Sequence, residues 1–267
     1  MKTVACIIAR TVSTRLPLKV LRSVYDDVSM LDFMINRLKQ IQEIDEIFLC
    51  TSAEPVDDIL EDIAEKNIIN IYRGSADKVI ERMLDVAQIT KADNVIRITG
   101  DNVFTSFEYI GQQINSIQKF NLDYCRIINV PIGATAEVIK VSALKDCYAS
   151  MDASVSEYLL LFIFNPDKYK CGVLEIDRND YSSMIITVDT PNDLKRTKEI
   201  LKLYPKEKLQ IKLLEIIKLI QTNNIPDSYY LPSGDVKLPY NKIVSFAEFQ
   251  NDMKNRIANS LKIKLNE

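Results

Sequence analysis

Arg10, Arg15 and Lys19 lie in one short stretch, interleaved with the hydroxyls of Thr11, Ser13 and Thr14, between an apolar run and a helical pattern. Such a loop can wrap a polyphosphate, because Arg makes bidentate bonds to phosphate oxygens, Lys acts as a point charge and backbone amides add donors. By composition alone it is equally a solvated basic loop. It is not a Walker A loop, which requires the pattern G-x-x-x-x-G-K-[ST]. The chain contains no histidine, which excludes Ser-His-Asp and Cys-His triads, histidine general bases and histidine-ligated zinc together. Any chemistry must therefore use carboxylates, Lys, Arg, hydroxyls or thiols.

The elements that must position these groups follow from periodicity. Val4–Ala9 reads as a strand, Met30–Leu38 as a helix, Glu46–Ser52 as a strand and Pro55–Lys66 as a helix opened by acidic residues. A third strand is expected over Ile68–Tyr72. Ser75-Ala76-Asp77-Lys78 then caps a helix running through Ile80, Met83, Leu84 and Ala87, and a fourth strand, Asn94–Thr99, stops at Gly100-Asp101. This alternation predicts an α/β fold with a mostly parallel central sheet and helices on both faces. Ligands then belong at the C-terminal ends of the strands, which carry Arg10, Ser52, Arg73-Gly74 and Gly100-Asp101. Strand ends lead into polar loops in any protein, so the pattern alone does not decide the matter.

Beyond residue 120, strands are expected over Asp123–Ile128, Glu137–Lys140 and Met184–Asp189, with a helix around Ala143–Ser150. Thr190-Pro191 opens a long helix with Pro in its first turn. The expected division is a nucleotide-handling domain over 1–204 and a mainly helical C-terminal extension over 205–267. The extension is helical near Leu209–Gln221, carries a linker with Pro, Ser and Gly over Ile225–Pro239, and ends in a helix over Phe246–Leu261. Its apolar residues Leu213, Ile216, Ile217 and Ile220 could pack on the main domain or make a symmetric homodimer.

Bulk composition narrows the partners. With 267 residues, 47% apolar and 27% charged, the chain has the ordinary mixture of a protein that buries a sizeable core. A formal charge of −3 supplies no general basic field for a nucleic-acid backbone, so no nucleic acid is expected. The five cysteines are odd in number, widely spaced and mostly set in apolar runs, and read as reduced core residues. No apolar stretch approaches the ~20 residues needed to cross a bilayer, and Met1 leads at once into the first strand. A cytoplasmic protein with no membrane partner is expected.

Arg10-x-x-Ser13-Thr14-Arg15-Leu16-Pro17-x-Lys19 resembles the N-terminal signature of the cytidylyltransferase family, which includes spore-coat polysaccharide synthesis proteins and the acylneuraminate and 3-deoxy-manno-octulosonate cytidylyltransferases. Ala53-Glu54-Pro55-x-Asp57-Asp58, Tyr72-Arg73-Gly74-Ser75, Glu81-Arg82, Arg97-Ile98-Thr99-Gly100-Asp101 and Val188-Asp189-Thr190-Pro191-x-Asp193-Leu194 follow in the family's order. The resemblance covers residues 2–204 and implies a three-layer Rossmann-like nucleotidyltransferase fold. It implies transfer of CMP from CTP to a small anionic acceptor with release of pyrophosphate. It further implies that Arg10, Ser13, Arg15 and Lys19, with Thr14 in the same loop, hold the triphosphate, and that base and ribose sit over Ala9, Arg73, Gly74 and Arg82. Asp101 and Asp189 resemble the carboxylates that hold Mg²⁺, an ion that accepts two such ligands beside waters and phosphate oxygens.

Each of these carboxylates also has a plain structural reading. Asp101 after Gly100 suits a tight turn, Asp189 suits a helix cap, and Asp193 suits a first helical turn through the dipole. Val12 and Leu18 stand where relatives usually place glycine, Asn102–Ser106 replaces a Cys-Pro-Leu-Ile-Asp-like stretch, and Glu157-Tyr158 replaces a Glu-His pair. A catalytically silent nucleotide-binding or interaction subunit, and an enzyme using another nucleoside triphosphate, are the competing expectations.

Overall fold

The computed structural model describes residues 1–230 and 234–265. In β1 (Thr3–Ile8) alternation sends Ala5 and Ile7 to one face and Val4 and Cys6 to the other, and all four are fully buried. A strand apolar on both sides belongs in a sheet covered on both sides. A polar loop, the hairpin β2 (Ser23–Tyr25) and β3 (Val28–Ser29), and α1 (Met30–Leu38) follow. Ser29 and Asp32 close the start of α1 as a reciprocal capping box. The chain continues through β4 (Glu46–Ser52), α2 (Ile59–Lys66), β5 (Asn70–Gly74), α3 (Val79–Thr90), β6 (Asn94–Thr99) and α4 (Ile110–Phe120). Next come β7 (Tyr124–Ile128), β8 (Glu137–Lys140), α5 (Val141–Ser150), α6 (Leu159–Ile163), β9 (Cys171–Glu175), α7 (Pro191–Leu203) and α8 (Leu213–Asn223). A hairpin of β10 (Asp235–Lys237) and β11 (Ile243–Ser245), then α9 (Phe246–Ala258) and β12 (Leu261–Lys264), complete the order.

Eight strands form one sheet in the order β12-β9-β7-β8-β6-β1-β4-β5. All run parallel except β8, which is antiparallel to both neighbours. One apolar cluster packs α1, α2, α4, α7 and α8 on one face, and a second packs α3, α5 and α6 on the other. The result is the expected three-layer α/β architecture, but the C-terminal residues are not helical alone: beside α8 and α9 they form the β10-β11 hairpin and β12, which joins the central sheet. The apolar face of α8 is settled as well: Leu213, Ile216, Ile217 and Ile220 are buried in the main core. All five cysteines are buried and unpaired.

Three local expectations differ from what is observed, and one strand, β9, was not expected. The helix expected over Pro55–Lys66 is broken into a 3-10 turn, Pro55–Asp57, and α2, and at the break Asp57 is turned inward. The Met184–Asp189 segment is extended but makes no ladder; isolated bridges at Ile185 and Met184 tie it to Ile132 and Tyr229. β9 had no clear signal, being five residues long with Gly172 inside it. The last helix stops at Ala258, and Leu261–Lys264 becomes an edge strand parallel to β9. Of the linker expected over Ile225–Pro239, residues 231–233 lie outside the described residues.

Candidate active site

The loop after β1 is closed at its neck, where the amide of Leu18 donates to the carbonyl of Thr11 at 3.2 Å. Asp57 fixes the near end. One of its carboxylate oxygens accepts from the amide of Thr11 at 2.7 Å and from its hydroxyl at 2.6 Å, and the other accepts from Ser52. Burial alone would raise the Asp57 carboxyl, but the hydrogen bonds from Ser52 and Thr11 outweigh it and hold its pKa below the ordinary value. Of Val12 and Leu18, expected from the resemblance to replace glycines, Leu18 takes the left-handed conformation, φ 56° and ψ 30°, while Val12 does not. The loop therefore concentrates its backbone strain at an exposed leucine.

Asp101 follows β6 directly, whereas Asp189 is delivered by the extended segment before α7. The amide of Val188 donates to the carbonyl of Asp101 at 2.9 Å, and that of Ile186 to Ile132 at 2.9 Å. Gly133, at φ +94°, makes this approach feasible, because a Cβ there would lie 2.7 Å from the amide nitrogen of Thr187. Beyond the carboxylate, Asp193 Oδ2 accepts from the amides of Asp189 and Thr190 at 3.0 and 2.8 Å, and Oδ1 accepts from the buried Arg196 at 2.9 Å. Asp193 is thus the first-turn residue expected of it, and it orients the backbone that carries Asp189.

Lys19 joins the two carboxylates. Its Nζ lies 2.9 Å from Asp101 Oδ2 and 2.9 Å from Asp189 Oδ1, and Arg15 reaches the same Asp189 oxygen at 3.1 Å. Burial would lower the pKa of the Lys19 ammonium, but the two carboxylates outweigh burial and raise it. One cation is therefore already bridged by both acids, so Asp101 and Asp189 are close enough to share another. Among the described residues no cluster of three or more Asp, Glu, Cys or His forms a complete protein cage. Two carboxylates with room for phosphate oxygens and waters is a donor set that fits Mg²⁺.

These groups face one crevice of about 580 Å³ at the C-terminal ends of β1 and β6. Its lining includes Ala9, Arg10, Ser13, Thr14, Arg15 and Lys19 from the loop after β1, the carboxylates Asp101 and Asp189, and Asp77, Ser154 and Glu157. Arg82 lines it too, although only 3% exposed; its guanidinium donates to the carbonyl of Cys50 at 3.3 Å while Nε has no partner. Burial lowers its pKa, and nearby Arg10 acts in the same direction. A buried guanidinium with an unpartnered Nε, beside the exposed cation of Arg10, favours an anion in the crevice.

Residues 4–225 match the sequence model of the cytidylyltransferase family. The chain belongs to that family. It is 32% identical over 230 residues to the spore coat polysaccharide biosynthesis protein SpsF of Bacillus subtilis, covering 82% of this chain and 93% of that protein. An uncharacterized protein of Methanocaldococcus jannaschii is 29% identical over 228 residues, covering 84% of this chain and 92% of its own. The solved structure of a cytidylyltransferase from Leptospira borgpetersenii superposes with a TM-score of 0.78 at 25% identity, over 86% of this chain and 99% of that one. The protein is accordingly a nucleotidyltransferase, and no helix among its described residues is long and apolar enough to cross a membrane.

In this cytidylyltransferase Arg73 and Gly74, expected to face the nucleotide, do not line the crevice. Arg73 pairs with Glu61 and Asp58 at 2.5 Å each and donates to the carbonyls of Ser52 and Glu54, bracing the loops behind it. Gly74 supports Arg82, since a Cβ at that position would lie 2.9 Å from Arg82 Cγ. The cap of α3 is also supplied from elsewhere: Ser156 accepts from the amide of Val79 at 2.9 Å and donates to the carbonyl of Asp77 at 2.7 Å. Ser106 is buried and donates to the carbonyl of Ala134 at 2.8 Å, so it fastens a loop. Asp57 and Arg97 lie within the motifs that carry the resemblance, but neither has an expected role there. An acidic residue two positions after Pro55 was the available signal for the first, and a charged residue between Ile96 and Ile98 within a strand for the second.

Proposed function

We propose that this cytidylyltransferase transfers CMP from CTP to a small anionic acceptor, releases pyrophosphate, and uses Mg²⁺ held by Asp101 and Asp189. The observation that carries the reading is the Lys19 ammonium lodged between those carboxylates in the same crevice as Arg10, Arg15 and Arg82. A place in surface polysaccharide or glycoconjugate precursor synthesis is supported by the likeness to the spore coat polysaccharide biosynthesis protein.

Transfer at the α-phosphorus depends on positioning and on meeting charge rather than on a protein nucleophile. Asp101 and Asp189 would hold the divalent ion, which would supply neutralisation of part of the phosphate charge. The chain's own contribution is to grip the triphosphate with Arg10, Arg15 and Lys19 and with the hydroxyls of Ser13 and Thr14. As the acceptor oxygen bonds to the α-phosphorus, the bond to the β-phosphate oxygen breaks and pyrophosphate leaves with the electron pair. The same cations meet the charge that develops on it. A phosphate, phosphonate or carboxylate acceptor is already ionised at neutral pH and requires no base, which agrees with a crevice lacking histidine.

Thermal shifts with ATP, GTP, CTP and UTP, each with Mg²⁺, test the reading. A ligand at a hundred times its dissociation constant adds about 2.7 kcal/mol of stability. Selective stabilisation by CTP that Asp101→Ala abolishes is the expected result. A larger shift with another nucleotide would overturn the choice of donor, and no shift with any of the four would favour a catalytically silent subunit.

A further inference from the structure

A second cavity, of about 280 Å³, lies beside the nucleotide crevice. Arg97 lines both, and Asn102 lines the second directly after Asp101 lines the first, so the two spaces share a wall. Their linings differ in kind. The nucleotide crevice is cationic and hydroxylated, whereas the second cavity is walled by Ile128, Val130, Ile132 and Phe164 and roofed by the α9 face of Phe249, Met253 and Ile257. These α9 residues recur at helical spacing and are only half-buried, so no other part of the described chain fills the space beneath them.

α9 lies beyond the part of the chain matched by the family model, and it is clamped at both ends. The amide of Phe246 donates to the carbonyl of Gly234 at 2.8 Å, and its ring packs on Tyr230 at 4.2 Å. Arg256 donates to the carbonyls of Leu161 and Phe164 at 2.9 and 2.6 Å, and β12 then locks into the sheet beside β9. The roof is held by the fold and is not a loose tail.

Charge within the cavity is uneven. Arg97, Arg126 and Lys254 face Glu137 and Asp180. Glu137 is already engaged by Arg97 at 2.5 Å and by the hydroxyl of Tyr124 at 2.6 Å, and Asp180 accepts from the amide of Ser182 at 2.9 Å. Arg126 makes no ion pair among the described residues. It touches only a neighbouring carbonyl at 3.4 Å and lies 5.4 Å from the centre of the Phe164 ring. Arg97 Nε is buried without a partner. A half-buried cation in apolar walls favours an anion that brings apolar surface with it.

We propose that this cavity is the acceptor pocket, and that α9 selects an acceptor with an anionic end and an apolar body over a fully hydroxylated one. The inference rests on the cytidylyltransferase reading above and names its acceptor class. The anionic end lies toward Arg97 at the shared wall, where one of its ionised oxygens bonds to the α-phosphorus of CTP as pyrophosphate departs with the electron pair of the broken bond. No proton has to move. The body lies under Phe249, Met253 and Ile257, a surface that would leave the hydroxyls of a polyol without partners.

Cyclohexyl phosphate and myo-inositol 1-phosphate are matched probes, sharing a six-membered carbocycle and a phosphate while differing in ring hydroxyls. Calorimetric titration of the full chain in the presence of CTP and the inert ion Ca²⁺ is expected to show cyclohexyl phosphate binding tighter by at least about tenfold. Arg126→Ala should weaken both probes, and Met253→Glu should remove the preference while the thermal shift given by CTP persists. Met253→Ala, which trims the roof without charging it, is expected to reduce the preference and serves if the glutamate variant fails to fold. Equal binding of the two probes, or a preference unchanged by the Met253 variants, while CTP still stabilises the protein, would overturn the acceptor assignment alone. Loss of the CTP shift in the unaltered chain would overturn the underlying reading.

Discussion

The amide of Val188 donates to the carbonyl of Asp101 at 2.9 Å, and this hydrogen bond places two carboxylates from distant parts of the chain beside one cation. Asp101 lies in the turn just after a ladder strand, while Asp189 ends a segment held by bridges, by the Asp193 capping box and by the buried Arg196. The second carboxylate therefore depends on packing at the side of the sheet rather than on the sheet itself.

Lys19 occupies the position between the acids that a divalent ion would compete for. Lys19→Met should make Mg²⁺ alone raise the melting temperature more than it does in the unaltered protein, and should weaken CTP by about tenfold or more. Because the Lys19 pKa is raised in the fold, its contribution to stability is fully present below the ordinary lysine value of about 10.4 and is lost as pH rises through the folded value. Unfolding curves recorded between neutral and strongly alkaline pH should show that alkaline loss in the unaltered protein, and a smaller one in the variant.

Asp57 anchors the loop after β1 through Thr11 and Ser52. Asp57→Asn should cost about 1.5–3 kcal/mol of stability by removing charge-assisted bonds, and should weaken CTP by loosening Arg10. The Asp57 pKa is lowered, so its contribution is present above the ordinary carboxylate value near about 3.9 and disappears as pH falls through the folded value. A denaturant midpoint that loses its acid limb in the variant is the expected signature; an unchanged limb would count against the anchor.

Leu18 sits at φ 56° with nearly half its surface exposed. Left-handed backbone costs a non-glycine residue about 1–2 kcal/mol, of which glycine's greater unfolded-state freedom offsets about 0.5–1. Leu18→Gly should stabilise the fold by about 0.5–1 kcal/mol in urea titrations, and a clear destabilisation would show that the leucine side chain holds the loop by contacts of its own.

Arg82 and Arg73 should separate sharply. Arg82→Met keeps the buried volume but removes the guanidinium from the crevice, and should weaken CTP by at least about tenfold. Arg73→Ala should leave CTP affinity within about twofold, because its pairs face the outer loops and screened surface pairs contribute little. Comparable losses in the two variants would return Arg73 to the nucleotide.

The α/β alternation, the mostly parallel character of the sheet and the loop of Arg10, Arg15 and Lys19 were legible from residue types and spacing, since periodicity and local charge are written along the chain. So was the resemblance that names the family. Tertiary structure alone decided that Arg73 turns outward while Arg82 faces the crevice, that Ser156 rather than a local residue caps α3, and that Leu18 rather than Val12 carries the left-handed turn. It also decided the meeting of Asp101 with Asp189, and the placing of α9 over a cavity formed largely by residues far earlier in the chain. These are contacts between segments remote in sequence. Their direction is set by which side chains the packed core leaves room for, and no window along the chain contains both partners.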